Sequence, residues 1–350
     1  MKSLTFGDTV VGDGHRPYVI AEIGSNHNGD MDLCRRLIDA AAGVGADAVK
    51  FQSWSESSLI AREEYDRNLD YDDKKKHFGS LREMVRAYQF TPEQHALAQG
   101  WCRERGVGFA SSAFSPEEAD LLDGMDVPFF KIASMDVTNL PLIEYVAAMR
   151  RPMLLATGMA TLGEIERVVS VIREAGNDDI ALLHCVSIYP PDYESIRLLN
   201  IPMLRETFGV PVGFSDHTLG TSVPLAAIAL GACVIEKHFT VDKEMEGWDH
   251  AISADPDELR VIVEEGRNVF ASLGGRMRVV SAAELEKRER FRRSLVARRA
   301  LGCGHVLREE DLTAKRPGSG ISPTELSYVV GRRLALDLEE DHVLRWEDLV

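Results

Sequence analysis

Residues 210–240 read VPVGFSDHTLGTSVPLAAIALGACVIEKHFT. Two short runs, Val212 to Phe214 and Val234 to Lys237, flank a stretch with helical periodicity from Ser222 to Leu230 that stops at Gly231. Continuous apolar runs, rather than alternating ones, suit strands covered on both faces of a parallel sheet. A glycine just past an apolar-periodic stretch is a common helix stop. Each run ends in side chains able to do chemistry: Ser215, Asp216 and His217 after the first, Glu236, Lys237 and His238 at the second.

The same unit recurs towards the N-terminus. Further runs lie at Val19 to Ile23, Ala48 to Phe51, Gly108 to Ala110, Phe129 to Ile132, Met153 to Ala156 and Ile180 to Leu183. Helical patterns fill gaps between them, at Asp32 to Val44 and at Leu162 to Glu174, the latter after a Thr161/Glu164 capping box; another, Asp257 to Leu273, follows the last run. Eight alternations in about 240 residues predict an α/β fold, a (β/α)8 TIM barrel. The alternative is an open doubly wound sheet, but no G-x-G-x-x-G follows the first run. The polar insertion Ser53 to Phe90 would cover the top face. The barrel is assigned residues 1–273. Residues 274–293, with Gly274, Gly275 and the charged Glu284 to Arg293, read as a linker or exposed helix. Residues 294–350 read as a small β-rich domain with turn signals at Gly302 to Gly304 and Pro317 to Gly320.

Composition narrows the function. A net charge of −16 over 350 residues argues against nucleic-acid and anionic-membrane partners. No apolar stretch is long enough for a bilayer span, and Met1 to Arg16 lacks the apolar run of a signal peptide. Five scattered cysteines without a C-x-x-C pair fit reduced thiols, and hence a cytoplasmic location.

Barrel enzymes work at the C-terminal ends of their strands, and here those ends collect polar groups. Lys50 and Lys131, with Ser112, Ser134, Thr157 and Ser215, suit a dianion carrying phosphate and carboxylate; a lysine at such a place can equally pair with a nearby acid. His217 and His238 close adjacent strands, about 4.8 Å apart, so two imidazoles there can share a cation and leave it open to substrate. Glu22 is a candidate general acid or base, or a partner for Lys50 or Lys131. His27 and His250 are weaker metal candidates, and His184, inside a strand, reads as structural.

These residues, in order, resemble the sialic acid synthase (N-acetylneuraminate synthase) family over almost the whole chain. The resemblance is carried by Ala21-Glu22-Ile23-Gly24 with Asn26-His27, Lys50-Phe51-Gln52, Lys131-Ile132-Ala133-Ser134, Thr157-Gly158-Met159, Gly213 to Thr218 and Glu236 to Thr240. The tail, with Lys315-Arg316-Pro317-Gly318, resembles that family's antifreeze-like (SAF) domain. The resemblance implies a barrel joined to a β-clip, and a homodimer in which each small domain caps the partner's barrel. It implies a divalent ion, usually Mn²⁺ (Mg²⁺ or Co²⁺ being the other candidates), held by His217 and His238. It implies condensation of phosphoenolpyruvate with an amino hexose, with Glu22 activating water. Lys50, Ser112, Lys131, Ser134, Thr157, Ser187 and Ser215 match positions that hold phosphoenolpyruvate. Gln52, Asp136, Tyr189, Asp249 and the partner's Arg316 match positions around the sugar. Asp136 in place of a usual Glu, and Trp248 in place of a common Pro, lie on the sugar side. The expected acceptor is N-acetylmannosamine or a related amino hexose; the alternative is a legionaminic or pseudaminic acid synthase using a di-acetamido hexose, and members that use a 6-phosphorylated sugar share the scaffold.

Two other classes fit parts of the pattern. A metal-dependent aldolase could use a lysine Schiff base beside the histidines. A non-catalytic sugar-binding scaffold would show gaps among the strand-end residues, and there are none.

Overall fold

The computed structural model describes residues 2–350 except Tyr71, Lys74, Lys75, Phe78 and Arg276, with backbone alone at 72–73 and 76–77. Part of the insertion expected over the top face therefore lies outside the described residues. The chain forms two compact units, residues 1–274 and 275–350.

In the first unit eight parallel strands close a barrel in chain order: Tyr18–Gly24, Ala48–Ser53, Gly108–Ala113, Phe130–Ile132, Met153–Ala156, Ile180–Cys185, Val212–Asp216 and Val234–His238. The eighth strand pairs with the first, Val234 opposite Tyr18 and His238 opposite Glu22, which completes the ring. Every expected run is a strand. The second, third, sixth and seventh strands run two or three residues past the expected ends, because their polar termini stay in the ladder.

Strand pleat sorts these residues, since successive side chains point to opposite faces. Ile20, Ala48, Ala110, Leu154, Leu183 and Val234 pack together inside the barrel. Their neighbours Val19, Ala21, Val49, Phe109, Leu155, Leu182 and Ile235 pack outward in the cluster that takes in the helices. One such helix, Leu162–Glu174, begins with the expected Thr161/Glu164 capping box and buries Ile165, Val168, Val169 and Ile172.

An N-terminal hairpin, Ser3–Phe6 paired with Thr9–Gly12, was not anticipated from the sequence, where its strands are short and half polar. Leu4, Phe6 and Val11 join the interior cluster. The Phe6 ring lies 4.5 Å from Phe129 and 5.3 Å edge-on to Tyr18. Tyr18 opens the first strand, so the hairpin plugs the end of the barrel opposite the polar strand termini.

Two polar groups at the strand ends turn outward. Lys237 Nζ is 2.6 Å from Asp216 Oδ2 and donates also to the Thr218 carbonyl, all fully buried. Ser53, His95 and Ser111 form a closed chain, 2.6 Å and 2.7 Å from the Ser53 hydroxyl. Both clusters fasten the strands to what surrounds them.

The second unit starts with an exposed helix, Ala282–Phe291, within the stretch read as linker or helix. Antiparallel strands Ser294–Ala297 and Leu312–Lys315 follow, over a small core that includes Leu295, Leu301, Leu307, Val329, Leu338 and Leu344. An internal repeat escaped the sequence reading: His305-Val306-Leu307-Arg308 with Asp311-Leu312, and His342-Val343-Leu344-Arg345 with Asp348-Leu349. In each copy the aspartate accepts the arginine backbone N–H, at 3.0 and 2.7 Å, and pairs with the histidine, at 2.7 and 3.0 Å. Each copy follows a left-handed residue, Gly304 or Asp341; aspartate is among the few side chains that tolerate that backbone. Among the described residues no helix is long and apolar enough to cross a membrane.

Phe6→Ala should cost about 3–5 kcal/mol, the usual loss for a buried aromatic, seen as a lower midpoint in denaturant unfolding. Asp216→Ala should cost a comparable ~3–5 kcal/mol by stranding the Lys237 ammonium. Asp216→Leu combined with Lys237→Met should lose less than the single change, in the same unfolding assay.

Candidate active site

The inward-facing residues at the strand ends meet in a cavity of about 300 Å³ at the barrel mouth. Glu22, Lys50, Gln52, Ser112, Lys131, Ser134, Ser187, Tyr189, Ser215, His217 and His238 all line it. Glu236 lines it too. The sequence reading placed Glu236 at the end of its strand and gave it no role in the site, although it sits two residues before His238 and so shares its face.

At the floor, four buried charges alternate. Lys50 Nζ lies 2.6 Å from Glu22 Oε2 and 3.8 Å from Glu236 Oε2. Lys131 Nζ lies 3.1 Å from Glu236 Oε1, which also accepts from the Ser215 hydroxyl at 2.9 Å. Gln52 donates to Glu22 Oε1 at 2.8 Å, and Lys50 reaches Ser112 Oγ at 3.3 Å. One arrangement thus pairs Glu22 with Lys50, the partner expected for it, and also turns it into the cavity.

The two acids are driven apart. Burial raises the Glu22 carboxyl above its ordinary range, against the pull of Lys50. Burial acts the same way on Glu236, but Lys131, Lys50 and the Ser215 hydroxyl overcome it and hold that carboxyl well below the usual range. A pair of carboxyls separated in this way can divide the labour, one exchanging a proton and the other staying anionic. Burial disfavours the Lys131 ammonium, yet Glu236 and Glu22 prevail and raise its pKa.

Above this floor the His217 and His238 rings are 5.4 Å apart. His217 Nδ1 is 2.8 Å from the Val186 carbonyl, so Nδ1 carries a proton. Burial works to lower the pKa of this imidazole, but the Cys185 side chain and that carbonyl prevail and raise it. Ligating histidines are characteristically oriented in this way. His238 is buried, and its Nδ1 has no hydrogen bond among the described residues, with Asp249 Oδ2 3.7 Å away. Burial, His217 and Lys50 push its pKa well down, so it is neutral as a ligand must be. This donor set fits a divalent cation on two imidazoles with substrate or water completing its coordination. Among the described residues no cluster of three or more His, Cys, Asp or Glu could hold a metal, so any ion here would rest on these two.

Other expected positions fall differently. Thr157 does not line the cavity; its hydroxyl is spent on the Leu183 carbonyl at 3.1 Å, which ties the fifth strand to the sixth. Asp136 and Asp249 flank the lining without belonging to it. Asp136 is held by Asn139 at 3.1 Å and Asp249 by its approach to His238. Arg316 belongs to the second unit, where its guanidinium lies over the Phe291 ring. The weaker histidines are engaged elsewhere: His27 accepts from the Gly29 N–H, His184 donates to the Ile196 carbonyl, and His250 pairs with the Thr240 hydroxyl. Cys185, passed over as one buried thiol among several, lines the cavity beside His217. Its place two residues after Leu183 on an inward face was the signal that could have found it.

Residues 37–278 match the NeuB family, and residues 292–350 match the SAF domain. The chain is 38% identical over 340 residues to the N,N'-diacetyllegionaminic acid synthase of Legionella pneumophila, covering 95% of this chain and 94% of that one. It is 33% identical over 342 residues to the human N-acetylneuraminate-9-phosphate synthase, covering 97% and 94%. Among solved structures it resembles the N-acetylneuraminic acid synthetase of Leptospira borgpetersenii, at 32% identity and a TM-score of 0.74 over 82% of this chain and 95% of that one. On this evidence the chain belongs to the NeuB family, as a TIM barrel followed by a SAF domain.

Proposed function

We propose that this protein condenses phosphoenolpyruvate with an amino hexose, giving a nine-carbon 2-keto sugar acid and inorganic phosphate. The observation that carries the reading is that two buried lysines and two buried histidines line one cavity. Lys50 and Lys131, with the hydroxyls of Ser112, Ser134, Ser187 and Ser215, hold the phosphate and carboxylate of phosphoenolpyruvate. Thr157, whose hydroxyl binds backbone, contributes by fixing the strand rather than by direct contact. His217 and His238 would hold a divalent ion, Mn²⁺ in this proposal, and when bound it would supply Lewis acidity towards the sugar aldehyde.

C3 of phosphoenolpyruvate attacks the open-chain aldehyde carbon, forming the C–C bond as the C2–C3 π bond opens, while the aldehyde oxygen takes a proton from the Glu22 carboxyl. Water adds at C2 and returns a proton to Glu22, whose burial raises its pKa and suits it to proton exchange. The C2–O bond to phosphate then breaks, leaving the ketone. Gln52, Tyr189, Asp136 and Asp249 surround the sugar, and Arg316 reaches it from the partner chain of a homodimer. The names of the relatives support a nine-carbon product of the sialic, legionaminic or pseudaminic type. A Schiff-base aldolase is disfavoured by the raised pKa of Lys131, which keeps it an ammonium rather than a nucleophilic amine.

Phosphate release from phosphoenolpyruvate should require both a sugar and Mn²⁺, stop on chelation, and yield a nine-carbon acid by mass. His238→Ala should abolish the metal-dependent rate; wild-type turnover in that variant would remove the metal assignment. Arg316→Ala should raise the sugar KM by about 10-fold, the worth of one charged hydrogen bond, with little change in the phosphoenolpyruvate KM.

A further inference from the structure

We infer that the outer face of the second barrel strand carries a separate serine-nucleophile site, able to hydrolyse short-chain carboxylic esters. Strand pleat sends Gln52 into the cavity at the barrel mouth and Ser53, the next residue, to the opposite face. There Ser53 lines a different cavity, of about 550 Å³, together with His95. That volume lies within the range of small-molecule sites, roughly 300–1,000 Å³.

The hydrogen bonds fix the direction of each proton. His95 Nδ1 is 2.9 Å from the Thr91 carbonyl, which can only accept, so Nδ1 carries a proton. Burial pushes the pKa of this imidazole down, against the pull of that carbonyl, so the ring is neutral and Nε2 keeps a lone pair. Ser53 Oγ lies 2.6 Å from Nε2 and therefore donates to it. The Ser111 hydroxyl, 2.7 Å from Ser53 Oγ, is then left to donate to that oxygen. A hydroxyl bonded to an imidazole whose other nitrogen is held by a third group is the arrangement that activates a serine nucleophile. The contacts that fasten the strand thus also prepare Ser53 for attack.

Phe90 and Leu121 give this cavity apolar wall for a short acyl chain, and Ser57 and Ser115 bring hydroxyls for the alcohol part. Ser115 also caps the helix Pro116–Gly124. A helix N-terminus favours the negative charge that develops on an acyl oxygen under attack. Ser53 Oγ bonds to the acyl carbon as its proton passes to His95 Nε2. The ester C–O bond breaks, and the departing alkoxide takes that proton. Water then gives a proton to Nε2 and attacks the acyl carbon. The bond to Ser53 Oγ breaks and the proton returns to Oγ, so an alcohol and a carboxylic acid leave. No step uses a residue of the barrel mouth, so the two chemistries are independent.

The test gives the intact protein p-nitrophenyl acetate, with release of p-nitrophenolate as the rate, and a fluorophosphonate, with the adduct located by peptide mass mapping. An adduct on Ser53 is expected, together with hydrolysis that survives a metal chelator. Ser53→Ala and His95→Gln should each slow hydrolysis about 100-fold, the scale of a positioned general base. Either change also breaks the chain that fastens the strand, so Leu121→Trp is the second variant. It fills the cavity, leaves Ser53 and His95 in place, and should block the adduct. No adduct on Ser53, an unchanged rate in Ser53→Ala, or labelling of Leu121→Trp at the wild-type rate would each overturn the site. Hydrolysis that stops on chelation would assign the activity to the barrel mouth and overturn it as well.

Discussion

Two ammonium groups and two carboxylates share the axis of this barrel, each of them buried. Each such charge costs several kcal/mol to bury alone, and only the alternation of sign repays it. Glu22, Lys50, Glu236 and Lys131 come from the first, second, eighth and fourth strands, so the charges meet only when the ring is closed with its register correct. The closure depends in turn on the apolar layers beneath and on the hairpin that seals them. The site and the fold therefore rest on one constraint: every second residue at eight strand ends must be compatible with the others.

The fold was legible in the sequence because a parallel barrel makes its strands visible as apolar runs separated by helix-length intervals. The positions of all eight strands, the capping box at Thr161 and the change of texture after Leu273 could be read directly. What could not be read was direction. Listing polar residues at strand ends put Asp216 and Lys237 beside His217 and His238, whereas the pleat sends one pair out and the other in. The same pleat brings Glu236 and Cys185 into the cavity, and neither was picked out. Parity counted from His238 would have assigned the first, and from Leu183 the second. Thr157 is a different case. Its hydroxyl has a choice between substrate and a backbone carbonyl on the next strand, and nothing in the linear sequence decides between them.

The second unit was legible in outline only. Its strands are short and its core is small, so burial gives a weak periodic signal. The duplicated His-Val-Leu-Arg and Asp-Leu pattern carries more information than the hydropathy does. Each copy closes a turn around a buried aspartate, with its own histidine as hydrogen-bond partner. Such a unit is held by two local polar knots as well as by its leucines, which suits a domain too small to rely on hydrophobic burial.

The parity of the eighth strand has a genetic consequence. Its residues Glu236, Lys237 and His238 differ in destination only by where the pleat begins. Losing or gaining one codon upstream within that strand would turn Lys237 towards the axis and send Glu236 and His238 among the helices. The mouth would then hold three ammonium groups with one carboxylate, and the imidazole facing His217 would be gone. Lineages descended from this sequence should thus tolerate many replacements along the strand's outer face, while length changes there should be purged.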